Sequence, residues 1–127
     1  MSRPPIDRRP QAETAFVIHP SRSAEVDRSP QAKLEEAAGL ALALDLDVRE
    51  TMIAPLRQVT PATLFGKGKT EEIGQLLADR GASVAVIDDA LTPVQQRNLE
   101  RAWNVKVIDR TGLILEIFAR RARTREG

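Results

Sequence analysis

A chain of 127 residues, 42% hydrophobic and 29% charged, has the length for one domain with its own core and the composition of a folded globular protein. The absence of cysteine excludes a disulfide framework and a thiolate metal site, and a single histidine excludes both a Cys–His pair and a multi-histidine centre. The net charge of +1 hides an uneven layout, because residues 101–127 carry seven Lys or Arg against three acids while residues 1–100 carry twelve against fifteen.

Met1 to about Glu13 holds three Pro and three Arg without periodicity, which predicts a disordered tail over 1–13 and, lacking an apolar core, no secretory signal. From Thr14 strand and helix patterns alternate. Ala15-Phe16-Val17-Ile18 is a short apolar run of the kind buried on both faces of a sheet, ending at His19-Pro20-Ser21-Arg22-Ser23. Ser29-Pro30 supplies an N-cap and a first-turn proline, followed by a wide apolar face of Leu34, Ala37, Ala38, Ala41, Leu42 and Leu44. Val48 to Val59 is a more polar extended segment, and its Pro55 predicts an edge strand. Gly66-Lys67-Gly68-Lys69 opens a helix with Glu71 and Glu72 expected in its first turn, a buried row of Ile73, Leu76 and Leu77, and Gly81 as its stop. Val84-Ala85-Val86-Ile87 reads as a central strand. Thr92-Pro93-Val94-Gln95 spells a capping box, and Leu99, Ala102 and Trp103 form that helix's inner face. Val105 to Ile108 is the fourth strand, and Leu113, Ile114, Ile117 and Phe118 mark a last helix. The pattern predicts an α/β domain over 14–127: a small four-stranded parallel sheet flanked by helices through right-handed crossovers.

In such sheets ligands gather beyond the carboxyl ends of the strands. That rim gathers His19, Ser21 and Arg22 after strand one, Lys67 and Lys69 after strand two, Asp88 and Asp89 after strand three, and Asp109 and Arg110 after strand four. A small-ligand site there competes with the ordinary polarity of strand-end loops. Gly68-Lys69-Thr70 copies the end of a Walker A loop, yet the first glycine of that motif would fall on Thr63. Asp109-Arg110-Thr111-Gly112 matches the D-x-x-G of GTPases, but no N-K-x-D segment accompanies it, so Asp109 is more simply a helix cap with Arg110 pairing locally. No catalytic set and no metal site emerges. Aromatics make up 3% of the chain; Phe16, Phe118 and Trp103 fall on apolar rows, and Phe65 alone sits in a loop, free to meet a base or to anchor that loop.

Three ordered segments carry a resemblance: Leu64-Phe65-Gly66-Lys67-Gly68-Lys69 with Glu71-Glu72-Ile73, Asp88 to Glu100, and Val107 to Ala122. Together they resemble the N-terminal domain of the HflX family of ribosome-associated GTPases. The resemblance implies a cytoplasmic protein that binds the large ribosomal subunit and splits stalled ribosomes under stress. GTP and Mg²⁺ would belong to a GTPase domain joined in cis through a helical segment. This domain would help dock onto ribosomal RNA, with Lys67, Lys69, Arg120, Arg121, Arg123 and Arg125 as candidates for phosphate contact. Two further readings stand beside it: a small-ligand or nucleotide (ATP) regulatory domain using the strand-end rim, and a scaffold for the GTPase domain.

Overall fold

Eight elements alternate along the chain: β1 (Thr14–Arg22), α1 (Pro30–Ala43), β2 (Asp47–Leu56), α2 (Lys67–Arg80), β3 (Val84–Ile87), α3 (Pro93–Trp103), β4 (Lys106–Asp109) and α4 (Arg110–Arg125). They come from a computed structural model that describes residues 12–22 and 29–125, with side chains to residue 123. Most of the expected tail, and the side chain of Arg125, lie outside the described residues. The strands form one parallel sheet in the order β2-β1-β3-β4, the predicted α/β class with β2 at an edge.

The two central strands are apolar throughout because both their faces are covered. Phe16, Ile18, Ala85 and Ile87 point into a core shared with Ile73 and Leu77 of α2 and Leu99 and Trp103 of α3. Ala15, Val17, Val84 and Val86 point the other way, onto Leu34, Ala37 and Ala41 of α1 and Leu113 and Ile117 of α4. In β2 a bulge between Ala15 and Phe16 of the partner strand leaves Arg49 without an opposite number. That extra residue inverts the alternation, so Val48 and Ile53 serve the α1–α4 layer while Met52, Ala54 and Leu56 serve the α2–α3 layer.

Local chemistry sets the helix ends. Ser29 Oγ accepts from the Ala32 amide at 3.1 Å. Thr92 and Gln95 form the reciprocal capping box, Gln95 N–H to Thr92 Oγ1 at 3.0 Å and Thr92 N–H to Gln95 Oε1 at 2.9 Å. Gly81 ends α2 at φ +64°, a left-handed conformation that glycine adopts without Cβ strain. Gly74 is needed for another reason: a Cβ there would lie 2.9 Å from Trp103 Cδ1. The bare helix surface lets the indole reach in and donate to the Thr70 carbonyl at 2.8 Å.

Several sequence expectations shift. β1 continues to Arg22, since its ladder with β2 runs on to the Arg22–Leu56 pair, so His19, Ser21 and Arg22 lie within the strand and not after it. β2 stops at Leu56, short of Val59. With Gly66 as N-cap, α2 starts at Lys67, which puts both lysines in the first turn and moves Glu71 and Glu72 into the second. Leu42, Ala102, Ile114 and Phe118 are exposed, Phe118 by 59%; on α4 it is Leu113 and Ile117 that take the inward row.

Side chains close the outer edge of β4 at Val107. Gln96 Nε2 donates to the Val107 carbonyl at 2.9 Å, and Glu100 Oε2 accepts from the Val107 amide at 3.1 Å.

Candidate functional site

Two clusters lie at the carboxyl edge of the sheet, and their chemistry differs. The first spans the gap between β1 and β3, the point where the crossovers change direction and where open sheets bind ligands. His19, 2% exposed, places Nδ1 2.9 Å from Asp88 Oδ2 across that gap. As a carboxylate Asp88 only accepts, so Nδ1 carries the proton. The other oxygen, Oδ1, accepts from Arg110 Nε at 2.8 Å, and Arg110 Nη2 donates to the Asp88 carbonyl at 2.7 Å. Arg110 therefore reaches back 22 residues instead of pairing locally. Its guanidinium is held above the usual arginine range, first by the hydrogen bond to Asp88, against desolvation and with help from the charges of Asp88, Asp89 and Glu36. Arg22 Nη1 stands 2.7 Å from Asp89 Oδ2, outside hydrogen-bond geometry, so that contact is Coulombic. Asp89 Oδ1 accepts from the Ala90 amide at 2.8 Å. Ser21 is half-buried beside this group.

Asp109 does structural service. Its Oδ1 accepts from the Gly112 amide at 2.9 Å, capping α4, and its Oδ2 accepts from the Leu91 amide at 3.0 Å. Both oxygens of the apparent D-x-x-G acid are thereby used by the fold.

The second cluster is the basic turn from Arg57 to Lys69, over the end of β2. Phe65 is fully buried and lies against Trp103, ring centroids 6.3 Å apart. Of the two roles open to it in sequence, it takes that of loop anchor. Leu64 before it is buried in a left-handed conformation, φ +67°, a strain of about 1–3 kcal/mol for a residue with a Cβ. Paired amides hold it there: Thr60 N–H to Leu64 O at 2.9 Å and Leu64 N–H to Thr60 O at 2.7 Å. From α3, Gln95 Nε2 donates to the Thr60 carbonyl at 3.2 Å and Asn98 Nδ2 to the Ala62 carbonyl at 3.0 Å. Gln95 thus serves the cap with its oxygen and the turn with its nitrogen. Nothing in the sequence marks that second role, because Thr60 is 35 residues away.

On this clamped turn Lys67 is exposed and Lys69 Nζ meets Glu72 Oε1 at 3.2 Å. Arg57 and Lys67 enter no ion pair among the described residues. A groove of 400 Å³ runs past Arg57, Gln58, Gly66 and Lys69. Glycines 66 and 68 are not demanded by the fold: a Cβ on either would meet nothing within 4 Å, and neither has positive φ. The turn is no nucleoside triphosphate cradle, since the Thr70 hydroxyl that would face Mg²⁺ in a Walker loop donates instead to the Gly66 carbonyl at 2.9 Å and is buried. The residues of this turn do not fit GTP.

The C-terminal arginines lie on the opposite layer. Arg120 pairs with Asp45 at 2.9 Å and Arg123 with Glu116 at 3.5 Å, while Arg121 is exposed. The described residues thus bring His19, Asp88 and Arg110 together, and Arg22 with Asp89, but keep Lys67 and Lys69 apart from both that group and the α4 arginines.

These features define a small parallel α/β domain whose ligand crevice is bridged by its own ion pairs and whose flank presents a braced basic turn. The chain belongs to the family described as GTP-binding GTPase N-terminal, whose sequence model matches residues 31–119. It is 52% identical over 97 residues to a GTPase HflX of Magnetococcus marinus, covering 76% of this chain and 22% of that protein. With the GTPase HflX of Escherichia coli it shares 39% identity over 122 residues, 96% of this chain and 28% of that one. It thus spans between a fifth and a third of these curated relatives. A crystal structure of an SsGBP–GDP complex superposes with a TM-score of 0.61 at 24% identity, covering 84% of this chain and 29% of that one, which supports the fold.

Proposed function

We propose that this domain docks an HflX-type GTP-binding protein onto RNA of the large ribosomal subunit, in a cytoplasmic machine that splits stalled ribosomes. GTP and Mg²⁺ act in a GTPase domain joined in cis, where the chemistry resides; the domain described here contributes the contact. One observation carries the reading: the loop before α2 is strained at Leu64, clamped from α3 at Thr60 and Ala62, and leads into Gly66 and Gly68, where the fold has room for a Cβ. Gly68 sits in the first turn of α2, where glycine costs about 1 kcal/mol against alanine. Close approach of an outside backbone, such as RNA phosphate against the free amides of that turn, accounts for the cost. The ion pairs across the β1–β3 gap favour this over a small-ligand domain, because the acids and His19 of the rim are engaged with one another.

Co-sedimentation with purified large subunits at low and moderate salt tests the proposal. Gly68→Ala is expected to raise the stability of the chain by about 0.5–1 kcal/mol, read as a higher urea midpoint, while weakening pelleting. Gly74→Ala, which clashes with Trp103, should lower stability instead. A Gly68→Ala chain that is more stable and pellets as before would remove the argument from the glycines. Failure of the unaltered chain to pellet with large subunits at any salt would overturn the docking role.

A further inference from the structure

The sequence concentrates positive charge in the Gly66–Lys69 turn and the C-terminal arginines. The fold singles out a different pair. Arg97 and Arg101 of α3 are exposed, and among the described residues neither enters an ion pair or hydrogen bond. They are four residues apart, so they project from one side of the helix about 6 Å apart along its axis. The one acid of α3, Glu100, is turned to the β4 edge, where it accepts from the Val107 amide. Val94, Asn98 and Ala102, which share the outward side, are uncharged.

This row adjoins the basic turn. Asn98 donates to the Ala62 carbonyl within the turn, and Ala102 lines a cavity of 290 Å³ together with Lys67 and Glu71. Glu71 is the carboxylate facing that cavity; Glu72 is occupied by Lys69. On the opposite layer the α4 cations are partly neutralised, Arg120 by Asp45 and Arg123 by Glu116. A phosphate chain meeting α4 would meet those acids as well; one meeting α3 and the adjoining turn would meet cations, neutral side chains and, of carboxylates, Glu71.

We infer that the RNA-docking face is the α2–α3 layer, with Arg97 and Arg101 taking RNA phosphates next to those taken by Arg57 and Lys67. The inference rests on the docking role proposed above and adds which face performs it. The test is co-sedimentation of the chain with large subunits across a salt series, using Arg97→Gln/Arg101→Gln, Lys67→Gln and Arg120→Gln/Arg123→Gln. Circular dichroism first confirms that each variant folds, as expected for exposed positions. The α3 pair should weaken binding at least tenfold at moderate salt. It should also flatten the log–log salt slope by about 1.5, since each lost phosphate contact removes about 0.7–0.9. The α4 pair should change affinity less than threefold. Unchanged binding by the α3 variant, with Lys67→Gln weakened, overturns the α3 assignment and leaves the docking role standing. A larger loss from the α4 pair also overturns it. If no variant moves binding or slope, the docking role falls too. Repeating the series with protein-free ribosomal RNA keeps the ranking if phosphate is the target; a ranking lost there assigns the arginines to a ribosomal protein and overturns the inference.

Discussion

Phe65→Ala should lower the stability of the domain by about 3–5 kcal/mol, the range for emptying a buried aromatic site. Phe65 is 0% exposed and belongs to the core between the sheet and the α2–α3 pair, in contact with Trp103. Its loss also frees the turn. Leu64 holds φ +67° only because its neighbours fix it, and Phe65 together with the Leu64 side chain ties this strained backbone to the core. Urea unfolding of the chain reads the stability. Phe65→Leu, which keeps most of the volume, should recover more than half of the loss, and large-subunit binding should follow the same order under conditions where both variants remain folded. A Phe65→Ala cost below about 1 kcal/mol would mean that the side chain is not the anchor described.

Asp88→Ala should cost a similar amount, about 3–5 kcal/mol, through a different mechanism. The carboxylate is 7% exposed and serves buried His19 with one oxygen and Arg110 with the other. Removing it strands a buried imidazole N–H and part of a guanidinium. The neighbouring Arg22→Ala should cost less than about 1 kcal/mol, because Arg22 is 44% exposed and its contact with Asp89 is screened. A double-mutant cycle with His19→Ala separates the pair energy from the cost of the orphaned partner. Equal effects of Asp88→Ala and Arg22→Ala would refute the distinction drawn between a buried and a screened contact. Arg110 adds no pH dependence near neutrality. Its folded value is raised, so the stability it contributes is present below the unfolded arginine value and is lost only as pH climbs through the folded one.

What the sequence conveys and what it conceals divide along one physical line. Ser29-Pro30, the Thr92–Gln95 box and Gly81 are visible because each cap is a bond within a few residues. The four parallel strands are visible because β1 and β3 need apolar side chains on both faces. Features that depend on a distant partner are not. β1 extends to Arg22 because β2 pairs with it that far, and nothing in Ser21-Arg22 says so. Phe65 is buried because Trp103, 38 positions later, comes to meet it. Phe118 keeps helical spacing with Ile114, yet α4 carries two apolar rows and the sheet covers one. At the site, the rim residues are identifiable by position, whereas the choice of partners, Arg110 with Asp88 and Gln95 with Thr60, appears only in three dimensions. Arg97 and Arg101 look like any solvated helix pair until Glu100 is seen to be turned to the β4 edge.

Gln96 and Glu100, by occupying the outward N–H and C=O of Val107, also limit what this sheet can become in company. Growth of a fibre by strand addition needs two receptive borders, one to join and one to offer onward. Here β2 is the border that no other described strand flanks, with Pro55 interrupting its donors. Two molecules meeting border to border would close on a two-fold axis and stop.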